Sequence, residues 1–414
     1  MNLPTLIALL AAVLVLARWG MELWLGWLNE RHVRSHAGEV PAAFKDMIDD
    51  ATYAKSVHYT LDRIRLGRVT DSYDTVILLA AVFSGVLPWA FDLFVRWRGD
   101  SAWSLAAFLL LAGAALSLTG VPFAWYEQFK LEERHGFNTM TLRLWLTDRL
   151  KAVVLAVALG YPLLVLVLYL VRRTGPTWWL WAWGILLAFQ LLMLVLAPVL
   201  ILPLFNKFTP LPPGPLRDRL LALAARTRFR AQSIQVMDGS KRSRHSNAFF
   251  TGFGRFRKIV LFDTLLQQLT EPELEAVLAH EIGHYRLKHI PKMLLASASA
   301  LFAALGVLAW LAQQEWFYHA FGFLPGTIEP AILLFGLLSG AVTFWFSPLA
   351  HLWSRRFEYQ ADAFAASAVN GPPALISALR KLNEKNLSNL TPHPLYSGFY
   401  YSHPTLIERE QALA

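Results

Sequence analysis

Residues 270–284 read TEPELEAVLAHEIGH, with a helix start at one end and the pattern H-E-x-x-H at the other. Thr270 followed three residues later by Glu273 is the capping-box signal of a helix N-terminus. On the predicted helix, His280 and His284 lie one turn apart on the same face, where both imidazoles can bind one metal ion. The segment therefore predicts a helix that carries a metal site.

Glu281 is the residue of this pattern that is predicted to take part in a reaction. It lies about 100° around the helix from His280, so its carboxylate is beside the metal and can take a proton from a water there. This is the geometry of a zinc peptidase. The five-residue pattern alone occurs by chance in roughly one protein in a hundred of this length, so the prediction needs further ligands.

Two carboxylates farther along the chain supply them. Glu358 and Asp362 are four residues apart in a segment of good helix formers, so they share one helix face. A catalytic zinc takes three protein ligands, and Glu358 is the predicted third ligand beside the two histidines. Asp362 is predicted to accept the spare ring N–H of a ligating histidine. The alternative is a solvated face on which Arg355 and Arg356 pair with Glu358 and contribute little stability.

His289 is predicted not to be a ligand. It lies five residues after His284, which on one continuous helix is about 140° around the axis. The longer pattern H-E-x-x-H-x-x-G-x-x-H also fails, because Leu287 and Ile290 occupy its glycine and third histidine positions.

The composition indicates a membrane protein. The 414-residue chain is 55% hydrophobic and only 16% charged, against about 25% charged in soluble proteins, and its mean hydropathy is +0.39. A cleaved signal peptide at the start is the alternative for the first apolar run, but a charged leading region and a small-residue cleavage site are missing. Membrane spans of about 20 residues are predicted at 3–27, 75–95, 102–125, 152–171, 177–205, 293–314 and 330–350.

The distribution of Lys and Arg predicts the orientation of these spans. Of the 38 Lys and Arg residues, 33 lie in segments that follow odd-numbered spans, so the positive-inside rule places the N-terminus outside and those segments in the cytoplasm. The H-E-x-x-H segment precedes the sixth span and Glu358 follows the seventh. Because two crossings return the chain to the same side, this topology allows the three ligands to meet.

The spans divide the chain into four predicted regions. Residues 1–205 hold five spans with their loops, and 206–292 form a cytoplasmic insert that ends in the H-E-x-x-H helix. Residues 293–350 hold spans six and seven. Residues 351–414 form a cytoplasmic C-terminal segment with the third zinc ligand.

Short strands are predicted in the insert, at 233–237, 247–251 and 258–263, with a turn at Gly252-Phe253-Gly254 joining the last two. An exposed strand edge beside the H-E-x-x-H helix could bind a peptide substrate as an added strand. The alternative is a strand that only packs against the helix.

Charge and cysteine content exclude several classes of function. The net charge of +9 is explained by cytoplasmic residues next to anionic lipid, and because no nucleic-acid-binding motif is present, no nucleic acid partner is expected. The chain has no cysteine, which excludes disulfides, thiolate zinc ligands and a cysteine protease.

Longer motifs resemble one known family, the integral-membrane zinc endopeptidases called CAAX prenyl protease 1. The resemblance covers most of the chain after the first span. Besides the H-E-x-x-H segment, its motifs in chain order are Glu132-Glu133-Arg134-His135-Gly136-Phe137-Asn138, Leu204-Phe205-Asn206-Lys207-Phe208-Thr209-Pro210-Leu211, Gly239-Ser240-Lys241-Arg242-Ser243, His245-Ser246-Asn247-Ala248, Arg355-Arg356-Phe357-Glu358-Tyr359-Gln360-Ala361-Asp362, Asn386-Leu387-Ser388-Asn389-Leu390 and Tyr401-Ser402-His403-Pro404.

The resemblance implies an all-α multipass membrane protein in which seven transmembrane helices form a chambered barrel, with a small cytoplasmic α+β zinc-peptidase region. It implies that Asn247 binds the substrate backbone and that His403 and Arg409 stabilise the tetrahedral intermediate. For the metal centre it implies one Zn²⁺ per chain, with Glu281 as general base and Asp362 supporting the ligands His280, His284 and Glu358.

The sequence thus predicts a membrane zinc metalloendopeptidase whose partners are the lipid bilayer and a peptide or protein substrate that can be membrane-associated or lipidated. Trimming of prenylated C-termini and bacterial membrane-protein quality control both remain open as its task. A bacterial inner membrane is expected, because the chain is compact and its end carries no retention signal. A zinc transporter or a site-2-type protease would place H-E-x-x-H within a span, and a scaffold would not need Glu281.

Overall fold

The computed structural model describes residues 2–46, 48–229, 233–251 and 258–414, and most of them are helical. Several helices continue into one another through short π or 3-10 turns. In chain order the helices are α1 Leu3–Ser35, α2 Asp50–Phe83, α3 Val86–Arg98, α4 Ala102–Leu118, α5 Val121–Tyr126, α6 Glu132–Arg134, α7 Leu142–Leu155, α8 Tyr161–Thr174, α9 Trp178–Leu196, α10 Leu202–Phe205, α11 Pro215–Arg226, α12 Asp263–Gln268, α13 Glu271–Arg286, α14 His289–Leu311, α15 Glu315–His319, α16 Glu329–Thr343, α17 Ser347–Ala368, α18 Pro373–Lys385, α19 Pro394–Tyr400 and α20 Leu406–Leu413.

Long apolar helices cross the membrane. By length and composition, the described residues contain four such helices, Leu3–Ser35, Leu142–Phe205, His289–Leu311 and Glu329–Ala368. Two bent pairs raise the number to as many as six if each is one span, α2 with α3 at 56° and α4 with the helix ending at Arg134 at 47°. Each apolar run predicted from the sequence lies within or largely within these helices, so the prediction of a multipass helical membrane protein is confirmed.

A small mixed sheet forms in the predicted insert. Its strands are ordered β1-β2-β4-β3, with β2 and β4 parallel and the other two pairs antiparallel. The three predicted strands are confirmed to within one residue at each end, whereas no sequence signal predicts the three-residue β1. The predicted turn Gly252-Phe253-Gly254 lies outside the described residues. The strands are β1 Phe208–Pro210, β2 Ser233–Met237, β3 Ala248–Thr251 and β4 Lys258–Phe262.

One hydrophobic core joins this sheet to α13 and to the C-terminal helices. Ile259 and Leu261 of β4, Leu278 and Ile282 of α13 and Leu375 of α18 are each at most 1% exposed. Burial of each such side chain stabilises the fold by roughly 1.5–3 kcal/mol. The core therefore packs segments of the insert and of the C-terminal region against each other, although two membrane helices separate them in sequence.

Helix α13 begins where the sequence predicts. The Thr270 side chain caps the helix and Glu273 closes the capping box, with the Thr270 N–H donating to Glu273 Oε2 at 2.7 Å. The helix ends at Arg286, and Lys288 takes the left-handed conformation with φ 57° before α14 begins at His289. The sequence-based expectation of one continuous helix through His289 is therefore wrong, because this turn redirects the chain.

Helix α17 packs against α13 at very short range, and glycine makes this possible. A Cβ atom on Gly283 would lie 3.0 Å from Ala361 Cα and 3.2 Å from Ala361 O. Ala361 is itself fully buried. The backbones of the two helices therefore approach each other at the position where the site is built.

Candidate active site

Three side chains meet between α13 and α17. His284 Nε2 lies 3.2 Å from His280 Nε2 and 3.3 Å from Glu358 Oε1. His280 Nε2 lies 3.4 Å from Glu358 Oε2. Within the described ranges, these three residues are the group whose ligand atoms all lie within 4.8 Å of one another. The structure thus brings together the three residues predicted as ligands.

The distances fit a tetrahedral metal site. With ligand bonds of 2.0–2.1 Å, neighbouring ligand atoms of a tetrahedral zinc lie about 3.3 Å apart. Glu358 Oε2 is buried without a hydrogen-bond partner, and such a carboxylate oxygen is costly unless a cation pairs with it. Two imidazoles and one carboxylate are also a donor set that zinc takes. The residues present therefore fit a zinc ion.

Asp362 orients the imidazole ring of His280. Nδ1–H of His280 donates to Asp362 Oδ1 at 2.8 Å, which leaves the Nε2 lone pair directed at the other ligand atoms. Arg409 holds Asp362 in turn, since its Nε donates to Oδ2 at 2.8 Å and its Nη2 to Oδ1 at 2.5 Å. Arg409 therefore reaches the metal centre through Asp362 and His280.

His289 orients His284, a role that the sequence did not predict. Its Nδ1 lies 3.0 Å from His284 Nδ1, and its Nε2 lies 3.0 Å from Gln360 Oε1. Gln360 Oε1 can only accept, so neutral His289 carries its proton on Nε2 and accepts the His284 Nδ1–H at its own Nδ1. His284 Nε2 is then free to bind metal.

The signal for this arrangement is present in the sequence. Pro291 is typical of the first turn of a new helix, and it indicates a break just before His289. Burial of His289 to 1% exposure and stacking on Phe357, with 4.1 Å between ring centroids, fix the imidazole in place.

Glu281 lies on α13 between the two histidines but is not one of the three converging donors. Burial raises the pKa of its carboxyl above the ordinary value, and the neighbouring His280 and His284 oppose that rise. A carboxylate whose pKa is raised toward neutrality is a stronger proton acceptor at physiological pH. The environment of Glu281 is thus suited to a general base.

His403 lies next to the third ligand, although it is far from it in sequence. Its Nε2 is 3.5 Å from Glu358 Oε1, and its side chain is 64% exposed. It faces a cavity of ≈ 950 Å³ that Arg409 also lines. The structure therefore brings His403 and Arg409 close to the cluster of His280, His284 and Glu358.

Asn247 immediately precedes β3, which lies at the edge of the sheet among the described strands. Its side chain is exposed, and its Oδ1 accepts the N–H of Ala248 at 2.8 Å. Helix α13 packs against β3. Asn247 thus lies at the start of a strand that contacts helix α13.

A polar network that the sequence did not predict supports this strand. His245 Nε2 lies 3.3 Å from Glu132 Oε2, and His245 Nδ1 lies 3.2 Å from Asn386 Oδ1. Glu132 also accepts the hydroxyl of Tyr59 at 2.7 Å, and His245 stacks on Phe137 with 4.1 Å between centroids. Three motifs far apart in sequence therefore meet here, for which the motifs themselves were the only signal.

Comparisons with known proteins agree with this geometry. Residues 29–207 match the family described as CAAX prenyl protease N-terminal, five membrane helices, and residues 210–414 match peptidase family M48. CAAX prenyl protease 1 of Saccharomyces cerevisiae is 37% identical over 407 residues, covering 91% of this chain and 88% of the yeast protein. A homolog from Arabidopsis thaliana is 36% identical over 90% of each chain. The crystal structure of S. mikatae Ste24p superposes with a TM-score of 0.92 and 34% identity over 98% of each chain.

Proposed function

The chain belongs to the CAAX prenyl protease 1 family of membrane metallopeptidases, and on that premise we propose that it releases the C-terminal tripeptide of prenylated proteins at a zinc ion bound by His280, His284 and Glu358. The observation that carries the proposal is that the Nε2 atoms of His280 and His284 lie 3.2 Å apart and lie 3.4 and 3.3 Å from the two carboxylate oxygens of Glu358. Glu281 is on the same helix as the two histidines. These groups support peptide hydrolysis by an activated water.

Each residue of the centre has a distinct role in the proposed reaction. Zinc, when bound, would polarise the scissile carbonyl and supply a water acidic enough to ionise near pH 7. Glu281 takes the proton of the attacking water and passes it to the leaving amine. His403 stabilises the developing oxyanion. Arg409 also stabilises the oxyanion through its positive charge, and it holds Asp362 against His280.

The substrate binds as an added strand. Among the described strands β3 lies at the edge of the sheet, and its backbone N–H and C=O groups can pair with an extended peptide there. Asn247 binds the peptide backbone at the start of that strand. The ≈ 950 Å³ cavity receives the part of the substrate next to the scissile bond.

We propose seven membrane crossings, with the site on the cytoplasmic side. The run Leu142–Phe205 has 64 residues, which as one straight helix would be about 96 Å long, three times the bilayer core. A short 3-10 turn at Gly175–Thr177 lies between α8 and α9, which contact each other, so this run supplies two crossings. The Lys and Arg distribution supports a cytoplasmic site, and we propose that the membrane is a bacterial inner membrane.

Cleavage of defined peptides tests this function. The purified protein is given a synthetic peptide with a farnesylated cysteine fourth from the C-terminus and the same peptide without the lipid. We expect release of the tripeptide from the farnesylated peptide. The variant Glu281→Gln should keep its zinc and lose cleavage by several orders of magnitude. Cleavage by that variant at the wild-type rate would refute the mechanism, and preference for the lipid-free peptide would refute the substrate assignment.

A further inference from the structure

The cavity that His403 and Arg409 line also contains an arginine whose charge is largely uncommitted. The described cavity lining contains three arginines, Arg63, Arg68 and Arg409. Arg409 is bound to Asp362, and Arg68 Nη2 lies 2.5 Å from Glu30 Oε2. By contrast, Arg63 forms only a long ion pair, with 3.9 Å between its Nη2 and Glu127 Oε1. The side chains of Arg63 and Glu127 are both about half exposed.

Arg63 is nevertheless held in a fixed position. Its Nη1 donates to the Tyr59 hydroxyl at 3.1 Å, and its guanidinium lies over the Tyr59 ring at 5.6 Å. Tyr59 is only 4% exposed and donates to Glu132 at 2.7 Å. The buried tyrosine therefore fixes Nη1 of the guanidinium, and Arg63 lines the cavity.

A substrate that pairs with β3 would run its C-terminus toward Arg63. Antiparallel pairing is the more stable kind, and a peptide that pairs antiparallel with β3 runs its C-terminal end toward the beginning of β3. Asn247 immediately precedes that beginning and is two residues after His245, which contacts Glu132 in the same network as Tyr59. From the start of β3, contacts therefore run from His245 to Glu132, from Glu132 to Tyr59 and from Tyr59 to Arg63.

The chemistry of the leaving tripeptide requires a cation there. Three extended residues span about 10 Å, so the free carboxylate lies about that far from the scissile bond and within the cavity. A carboxylate removed from water without a partner is costly, and an arginine fork is the group that binds it best.

We propose that Arg63 binds the C-terminal carboxylate of the substrate and so positions the bond three residues from the end at the metal centre. This inference rests on the proposed function and adds a recognition site to it. The ligand is a free peptide carboxylate, and a C-terminal carboxamide is its neutral counterpart of nearly equal shape.

Paired substrates test the assignment. The farnesylated peptide is prepared with a free C-terminal carboxylate and as the carboxamide, and kcat/KM is measured for both with the wild type and Arg63→Gln. We expect the wild type to prefer the acid by about 10- to 100-fold, the factor that a charged hydrogen bond contributes. In Arg63→Gln the ratio should fall to about one, mainly through KM for the acid, and Arg63→Lys should restore part of it.

Arg68→Gln is the matched control, because Arg68 lines the same cavity but is paired with Glu30, and it should keep the wild-type ratio. Zinc content of each variant shows whether the metal centre is intact. A wild type that cleaves acid and amide equally well would overturn the proposal and leave the proposed function standing, and so would Arg63→Gln with the wild-type ratio. Cleavage of neither peptide by the wild type would contradict both.

Discussion

At the residue scale, the metal centre depends on which ring nitrogen of each histidine carries its proton. A ligating histidine must present an unprotonated nitrogen to the metal, and the structure arranges this with a different partner for each ring. Asp362 accepts from His280, and His289 accepts from His284. Asp362 is an anion and His289 is neutral, so of the two proposed histidine ligands only His280 has an anionic hydrogen-bond partner.

Replacement of His289 tests this account. His289→Phe keeps an aromatic ring to stack on Phe357 but removes the acceptor for His284, so zinc affinity should fall about 10- to 100-fold. Competition with a metal chelator measures the change. Gln360→Glu retains the acceptor for His289 and is the control that should keep its zinc. Wild-type zinc affinity in His289→Phe would show that the imidazole only fills space.

At the scale of elements, the site exists because α13 and α17 are in close contact. Gly283 is the point of closest approach, with Ala361 Cα 3.0 Å from the place of a Cβ. Gly283→Ala should push α17 outward by a few tenths of an ångström or more, and it should weaken zinc binding because Glu358 lies on α17. Chelator competition measures the loss, and Gly336→Ala in α16, where a Cβ meets nothing within 4 Å, is the control. Unchanged zinc affinity in Gly283→Ala would show that the helices adjust without cost.

The start of α13 is secured to α18 through Glu273. Although burial opposes it, hydrogen bonds from Lys381, Ser377 and Thr270 lower the pKa of Glu273 to about 2. A depressed pKa in the folded state adds stability above the ordinary value near 4.5, and this stability is lost as the pH falls from there toward 2. Glu273→Gln should therefore lower the apparent Tm at pH 7, with a difference from the wild type that narrows below pH 4.5. A difference independent of pH would contradict the ionic role.

At the scale of the whole molecule, the sequence predicts far more of the fold than of the side-chain arrangement. The apolar runs, the capping box at Thr270 and the short strands depend on local patterns, and the structure contains them. Pro291 indicates a break before His289, but the contact between His289 and His284 also depends on the left-handed turn at Lys288, which no local pattern predicts. The network of Tyr59, Glu132 and His245 joins distant parts of the chain, which periodicity alone does not reveal.

The proposed metal centre joins parts of the chain that are far apart in sequence. Helices α14 to α16 lie between His284 and Glu358, so in the proposed topology the third ligand comes after the chain has crossed the membrane and returned. Retention of metal therefore tests the topology and the ligand set together.

The central measurement is the zinc content of the purified protein and of two variants, by elemental analysis. The account predicts about one zinc per chain in the wild type and in Glu281→Gln, because Glu281 is not a ligand, and loss of most of the zinc in Glu358→Ala. Equal zinc in Glu358→Ala and the wild type, or loss of zinc in Glu281→Gln, would contradict the proposed metal centre.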